Sequence, residues 1–224
     1  MIIDCISDLH GHYPKLEGVD LLIVAGDLTA KHTEEEYHWF CNRIKVENYK
    51  RVIFIAGNHD TFLTDVKPFK ETRWWLGSVI GQFEYLYDSG TEFEGLKIWG
   101  SPWVAAFPGM NRNCMAFTME VGCDTDEWLA EKWALIPDDT DILITHSPPF
   151  GVLDKVERYD KGIIENVGSK SLAARCCDLD YKLHVFGHVH EGYGILRVGD
   201  VTMVNASHVN KYYKPVNKSI RIEL

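Results

Sequence analysis

The stretch Ile2-Ile3-Asp4-Cys5-Ile6-Ser7-Asp8-Leu9-His10 starts as a strand-length apolar run and ends on side chains that can do chemistry. The same pattern recurs along the chain. Leu21–Ala25 is followed by Gly26-Asp27, and residues 52–56 by Gly57-Asn58-His59-Asp60. Ile142–Thr145 leads into His146, and Leu183–Phe186 into Gly187-His188-Val189-His190. Further runs occupy 96–99 and 201–204. Short, β-branched, nearly unbroken apolar runs are what strands buried on both faces look like. Helix-like segments at 33–46, 126–135 and 169–179 lie between some of them, which predicts a layered α/β fold. Segments 90–98 and 219–224 read as strands with no intervening helix, so the sheets are expected to be mixed.

The rest of the composition narrows the class. The chain has 224 residues, 46% hydrophobic and 25% charged, which suits one globular domain over 1–224 and excludes disorder as the main state. No run approaches the roughly 20 apolar residues of a membrane span. Met1-Ile2-Ile3-Asp4 lacks the basic start of a signal peptide. Six cysteines at irregular spacing, with no CxxC, read as reduced thiols, so a cytoplasmic location is expected. With 23 basic against 33 acidic residues the net charge is -10, and there is no basic stripe of the kind a stable nucleic-acid binder shows. The longest charge run, Glu34-Glu35-Glu36, reads as the first turn of a solvated helix, with Thr33 and Glu36 as a capping box.

Loops beyond the carboxyl ends of strands are where α/β sheets bind ligands. Five runs thus deliver Asp, His and Asn groups to one edge. In Asp8-x-His10 and His188-x-His190, extended backbone would point both side chains of a pair to one side, so that two facing pairs grip a cation. Asp27, with two oxygens, can bridge two cations, and Asn58 adds a neutral oxygen. Single histidines such as His38, His184 and His208 read instead as satisfied core residues.

The ordered set Asp8-x-His10, Gly26-Asp27, Gly57-Asn58-His59-Asp60, His146 and Gly187-His188-x-His190 resembles the calcineurin-like metallophosphoesterase superfamily, over most of the chain. Gly100-Ser101-Pro102-Trp103, Thr145-His146-Ser147-Pro148-Pro149-Phe150, the 184–194 segment and Asn205-Ala206-Ser207 are similar to its metallophosphoesterase-domain-containing branch, whose members act as phosphodiesterases on small or cyclic nucleotides. The resemblance implies a four-layer α/β/β/α sandwich of two mixed sheets flanked by helices, with a dinuclear metal centre at its edge. It implies one divalent ion held by Asp8, His10, Asp27 and His190, and a second by Asp27, Asn58, His146 and His188. Two carboxylates against two dications leave a local charge of about +2, which would attract a phosphate to an acidic protein. A metal-bridging hydroxide would attack phosphorus in line, and His59 would stabilise charge or protonate the leaving oxygen. Manganese is the expected metal, with iron, zinc and nickel compatible with the same N/O donors.

The chain departs from the protein-phosphatase pattern GDxVDRG, reading Gly26-Asp27-Leu28-Thr29-Ala30-Lys31. The acid that orients the catalytic histidine and the phosphate-binding arginine are both missing, which disfavours a protein phosphatase and leaves open what orients His59. Asn58 and His59 would also meet substrate. In the aromatic segment 99–117, Trp103 or Phe107 could stack on a base and Arg112 meet phosphate, or the loop could simply pack. Trp74-Trp75 reads as core or interface and His12 as a loop residue. Glu191-Gly192-Tyr193 is expected to support the last ligands. The expected partner is a small phosphodiester or nucleotide, with no stable nucleic acid and no membrane. A phosphomonoesterase, a nuclease of the same superfamily and a non-catalytic scaffold on this fold are the alternatives.

Overall fold

The computed structural model describes residues 1–44, 48–65, 82–105, 111–118, 125–158 and 162–224. Two mixed sheets face each other. In the first, β1 (Ile2–Ile6), β2 (Leu21–Ala25), β3 (Arg51–Ile55) and β4 (Phe83–Tyr85) run parallel, and β13 (Ile220–Glu223) lies antiparallel on β1, giving the order β13-β1-β2-β3-β4. The second comprises β5 (Ser89–Phe93), β6 (Leu96–Ser101), β7 (Ile142–Thr145), β10 (Leu183–Phe186), β11 (Gly194–Val198) and β12 (Val201–Asn205), in the order β11-β12-β10-β7-β6-β5. Its four inner strands are parallel and its two edges antiparallel. A hairpin of β8 (Lys155–Arg158) and β9 (Ile163–Asn166) stands apart from both.

Alternation along the strands builds the layers. Ile3, Cys5, Ile23, Ile53 and Ile55 of the first sheet meet Ile98, Ile142, Ile144, Val185 and Val204 of the second in one buried cluster. Residues of opposite parity, including Leu22, Val24, Val52 and Phe54, point outward into a cluster shared with Tyr37, Phe40 and Ile44 of α1 (Glu34–Ile44). Leu143 and Phe186 join the same outer cluster with Trp133 of α2 (Thr125–Trp133) and Leu172 of α3 (Lys170–Cys177). Strands buried on both faces cannot show polar alternation, which is why they read as unbroken apolar runs. The result is the expected α/β/β/α arrangement. No helix among the described residues is long and apolar enough to cross a membrane.

Parallel strands send their following loops to the same edge. The two sheets are tied together there, since Ser7 N–H donates to the Ala206 carbonyl (2.9 Å) and His208 N–H to the Ser7 carbonyl (2.7 Å). Of the Thr33–Glu36 box, one half is present at the start of α1, where the Glu36 carboxylate accepts from Thr33 N–H at 3.5 Å. The Glu36 carboxylate also accepts from the N–H groups of Ala30 (2.9 Å) and Lys31 (2.8 Å), fastening the loop after β2.

Candidate active site

Two carboxylates are sealed into this edge, Asp8 with no exposed surface and Asp27 with 2%. Asp8 accepts from His188 N–H at 3.1 and 3.0 Å, and its Oδ2 takes the Ser207 hydroxyl at 2.7 Å. Asp27 Oδ1 accepts from His59 N–H at 2.8 Å. Burial alone would protonate both acids. It is outweighed at Asp8 by the His190 hydrogen bond and charge, and at Asp27 by the His146 charge, so both stay below the usual carboxylate range.

Imidazoles surround them. His146 Nδ1 is 2.7 Å from the Ala25 carbonyl and His190 Nδ1 is 3.2 Å from that of Asn210. When these Nδ1–H groups donate, each neutral ring carries its lone pair on Nε2, as metal-ligating histidines do. Those Nε2 atoms lie 3.3 Å from Asp27 Oδ2 and 3.3 Å from Asp8 Oδ1 respectively. His10 Nε2 lies 3.3 Å from His190 Nε2 and 3.8 Å from Asp27 Oδ2. A lone pair aimed at a carboxylate is repulsive unless a proton or cation lies between them. His146 Nε2 is fully buried, and the Asp27 carboxylate is the polar group it faces. The Asn58 amide donates to the Cys114 carbonyl (3.0 Å), which turns its Oδ1 to within 3.0 Å of His188 Nδ1. Asp8, His10 and His190 form one donor group, and Asp8, Asp27 and His146 another, with ligand atoms within 4.8 Å of one another. Buried N and O donors so arranged, without thiolate, fit divalent cations.

The backbone reaches this geometry differently from the expected extended pairs. Asp8, His10, Asp27 and His188 have φ of 52, 43, 53 and 67°, in the left-handed region that costs non-glycine residues energy. The x-spaced pairs therefore converge through strained turns beyond the strand ends. These turns are held by Asp8 N–H to Gly26 O (3.0 Å) and His10 N–H to Asp27 O (3.0 Å). The chain also approaches itself closely. A Cβ on Gly57 would sit 2.2 Å from Asp27 Oδ1.

The proton count of the site follows from these contacts. Burial disfavours charge on His146, yet Asp27 and Asp8 more than offset it and raise its pKa to about 9. Burial lowers His10 to about 4 and His188 to about 3. At pH 7 the metal-free site therefore holds a proton on His146 that an incoming cation must displace. Metal affinity is expected to rise about tenfold per pH unit between pH 7 and 9. Burial at His190 is outweighed by the Asp8 hydrogen bond and charge, which raise its pKa as well. Calorimetry in two buffers of different ionisation enthalpy should therefore find at least about one proton released per loaded centre, and no release would contradict this assignment.

His59 is half-buried, with the His10 ring edge-on at 4.6 Å and the His32 ring stacked at 5.8 Å. His32 Nδ1 also contacts the His59 carbonyl. Burial lowers the His59 pKa despite Asp27. Its sequence neighbour Asp60 turns away: it accepts from Gly57 N–H (2.8 Å), Leu28 N–H (3.2 Å) and Tyr37 hydroxyl (2.7 Å), clamping the loop after β2 to the loop after β3.

A cavity of about 320 Å³ opens over the cluster. Its floor includes Asp27, Asn58, His59, His188 and His190, and its walls include Ala105, Val156, Val167, Arg158, Lys211 and Tyr213. Trp103 and Arg112 do not line it. The Trp103 indole is buried, donates to Asp88 at 2.8 Å, and has Lys132 Nζ 4.2 Å above its ring, so packing takes the face a base would need. Arg112 is exposed on a 3-10 turn. Of the Gly100–Trp103 signature, Ser101 (2.7 Å) and Trp103 both bind Asp88, a structural task. Phe107 and Trp74-Trp75 lie outside the described residues. His12 is exposed away from the cavity, and His38 is a half-exposed partner of Glu34 (3.3 Å), not a core residue. His184 and His208 are buried and bonded, to Thr145 (2.8 Å) and the Asn217 carbonyl (2.7 Å). Glu191 lines the cavity, whereas Tyr193 hydroxyl donates away from it to Lys218 O at 3.0 Å. Tyr213, which no sequence pattern singles out, places its ring 4.7 Å from His10 and 5.2 Å from His190. Its tip of loop carries no motif.

Two facing mixed sheets with a carboxylate–imidazole cluster at the strand ends make an α/β/β/α fold with a candidate metal centre at one edge. A family model described as calcineurin-like phosphoesterase matches residues 1–192, and the chain belongs to that family. It is 35% identical to metallophosphoesterase domain-containing protein 1 of Homo sapiens, covering 98% of this chain and 70% of that one. A UPF0046 protein of Caenorhabditis elegans is 31% identical, over 92% of this chain and 69% of its own. Among solved structures, TT1561 of Thermus thermophilus shares the fold with a TM-score of 0.55 and 17% identity, covering 91% of this chain and 88% of that one.

Proposed function

We propose that the chain is a dinuclear metal-dependent phosphodiesterase acting on small phosphodiesters, cyclic nucleotides among them. Asp8, His10, Asp27 and His190 would hold one divalent ion, manganese first among the candidates. Asp27, Asn58, His146 and His188 would hold the other. The observation that carries this is the position of Asp27 Oδ2, 3.3 Å from His146 Nε2 and 3.8 Å from His10 Nε2, one imidazole from each set. Two such ions, when bound, supply a nucleophilic water at neutral pH and neutralise phosphate charge. Asn58 presents an oxygen fixed by the Cys114 carbonyl. His59, neutral at pH 7, offers an N–H at the cavity floor to a phosphate or leaving oxygen.

The cavity supports the diester reading. Val156, Val167 and Ala105 form an apolar wall on which the second organic arm of a diester can lie. Arg158 and Lys211 on the same cavity favour a second reading, a phosphomonoesterase, because cations suit a dianion. Manganese-reconstituted protein offered bis(4-nitrophenyl) phosphate and 4-nitrophenyl phosphate should prefer the diester by at least about tenfold in kcat/KM, worth about 1.4 kcal/mol. A monoester preference would replace this reading with the second.

A further inference from the structure

We propose that His32, His59 and Cys114 form a separate zinc site beside the dinuclear centre, and that filling it inhibits the enzyme by capturing His59. One ring nitrogen of each histidine and Cys114 Sγ lie within 4.8 Å of one another. Tetrahedral zinc would bring such atoms to about 3.3–3.6 Å, given Zn–N near 2.0–2.1 Å and Zn–S near 2.3 Å. The closure needed is therefore of order 1 Å, within reach of rotations of two half-buried rings. His59 stands between the two sites, with His10 of the dinuclear cluster edge-on at 4.6 Å and His32 stacked at 5.8 Å. The His32 Nδ1 contact with the His59 carbonyl ties the two residues together.

Ligand chemistry sets the selectivity. The dinuclear donors are nitrogen and oxygen throughout, whereas this trio contains a thiol and lacks a carboxylate. Soft thiolate with imidazole selects zinc, and manganese prefers oxygen. Cys114 is buried, yet it lines the cavity, so the cavity supplies an entry path. Manganese would thus load the dinuclear centre and leave the trio empty, and zinc would fill the trio before it exchanges with the manganese of the N/O donors. Metal capture would take up one imidazole nitrogen of His59 and fix its ring against His32 and Cys114. The inhibition, though not the site, rests on reading His59 as the group that serves the leaving oxygen.

Cobalt provides a readout independent of turnover, because a thiolate bound to Co²⁺ gives a near-ultraviolet charge-transfer band and the dinuclear donors contain no thiolate. Titrating the metal-free protein with Co²⁺ should leave this band absent over the first two equivalents and raise it with the third. Cys114→Ser should abolish it. In the manganese-loaded enzyme, the zinc concentration for half-inhibition should rise at least about tenfold in Cys114→Ser and in His32→Gln. The proposal is overturned if no band forms, if a band survives Cys114→Ser, or if zinc inhibits both variants as it does the parent. Failure of the phosphodiesterase reading would show separately, as absent turnover with the cobalt band intact.

Discussion

Asp27→Asn is expected to lower manganese-dependent turnover by at least about a thousandfold, about 4 kcal/mol of transition-state stabilisation, while leaving the metal-free fold in place. The two halves of that expectation have different physical sources. Asp27 Oδ1 accepts the His59 N–H at 2.8 Å, a bond an isosteric amide oxygen can keep. Oδ2 faces His146 and His10 as an anion, which an amide nitrogen cannot replace. The folded metal-free chain thus loses a charge it had to hold in a fully buried place, whereas the loaded chain loses the one carboxylate common to both proposed ligand sets. Thermal unfolding with and without Mn²⁺ separates these effects, since a ligand that binds only the folded state raises its stability in proportion to RT ln(1 + [L]/Kd). The parent should gain stability with metal and the variant should not. A variant that still turns over within about tenfold of the parent would remove Asp27 from the bridging role.

The strands and the ligand loops were legible in the sequence for one reason. Parallel strands buried on both faces must be apolar throughout, so a polar residue ending such a run marks the sheet edge. Leu21–Ala25 ending in Gly26-Asp27 is the plainest case. What stayed hidden lacks that contrast. β4, with three residues, is too short to show a pattern, and the β8–β9 hairpin mixes Lys155, Glu157 and Arg158 with Val156 on a ribbon outside both sheets. Trp103 looked like a ligand platform because an aromatic in a loop after a strand is ambiguous until its partner is known. That partner, Asp88, is fifteen residues earlier on a neighbouring turn. The left-handed backbone at Asp8, His10, Asp27 and His188 was equally invisible, because no glycine advertises it. Four strained residues at one edge are a cost that the rest of the fold sustains, and sites of function are where such cost concentrates.

Gly187→Ala tests how that cost is sustained, and it should unfold the metal site more thoroughly than its single methyl group suggests. Gly187 does not occupy the left-handed region, so conformational strain is not what forbids a side chain there. Space is. A Cβ at this position would lie 2.0 Å from Ser7 Oγ and 2.2 Å from Asp8 Oδ2. Neither atom can retreat cheaply. Ser7 Oγ donates to the Ala25 carbonyl at 2.9 Å inside the seam between the sheets. Asp8 Oδ2 is held by the Ser207 hydroxyl at 2.7 Å and by His188 N–H at 3.0 Å. Overpacking a well-filled core costs about 1–3 kcal/mol, and displacing a buried carboxylate from its donors adds to it. The expected loss is therefore about 3 kcal/mol or more, with metal-dependent stabilisation lost as well. Gly199→Ala is the informative comparison. Gly199 has φ of 60°, but a Cβ there would meet nothing within 4 Å. It should therefore cost only the roughly 1–2 kcal/mol of left-handed backbone and leave metal binding intact. Denaturant unfolding of both variants, with and without Mn²⁺, distinguishes close approach from backbone strain. Equal losses in the two, or a Gly187→Ala protein that binds metal normally, would show that the loop after β10 can move away from Asp8, and that the seam is looser than its hydrogen bonds imply.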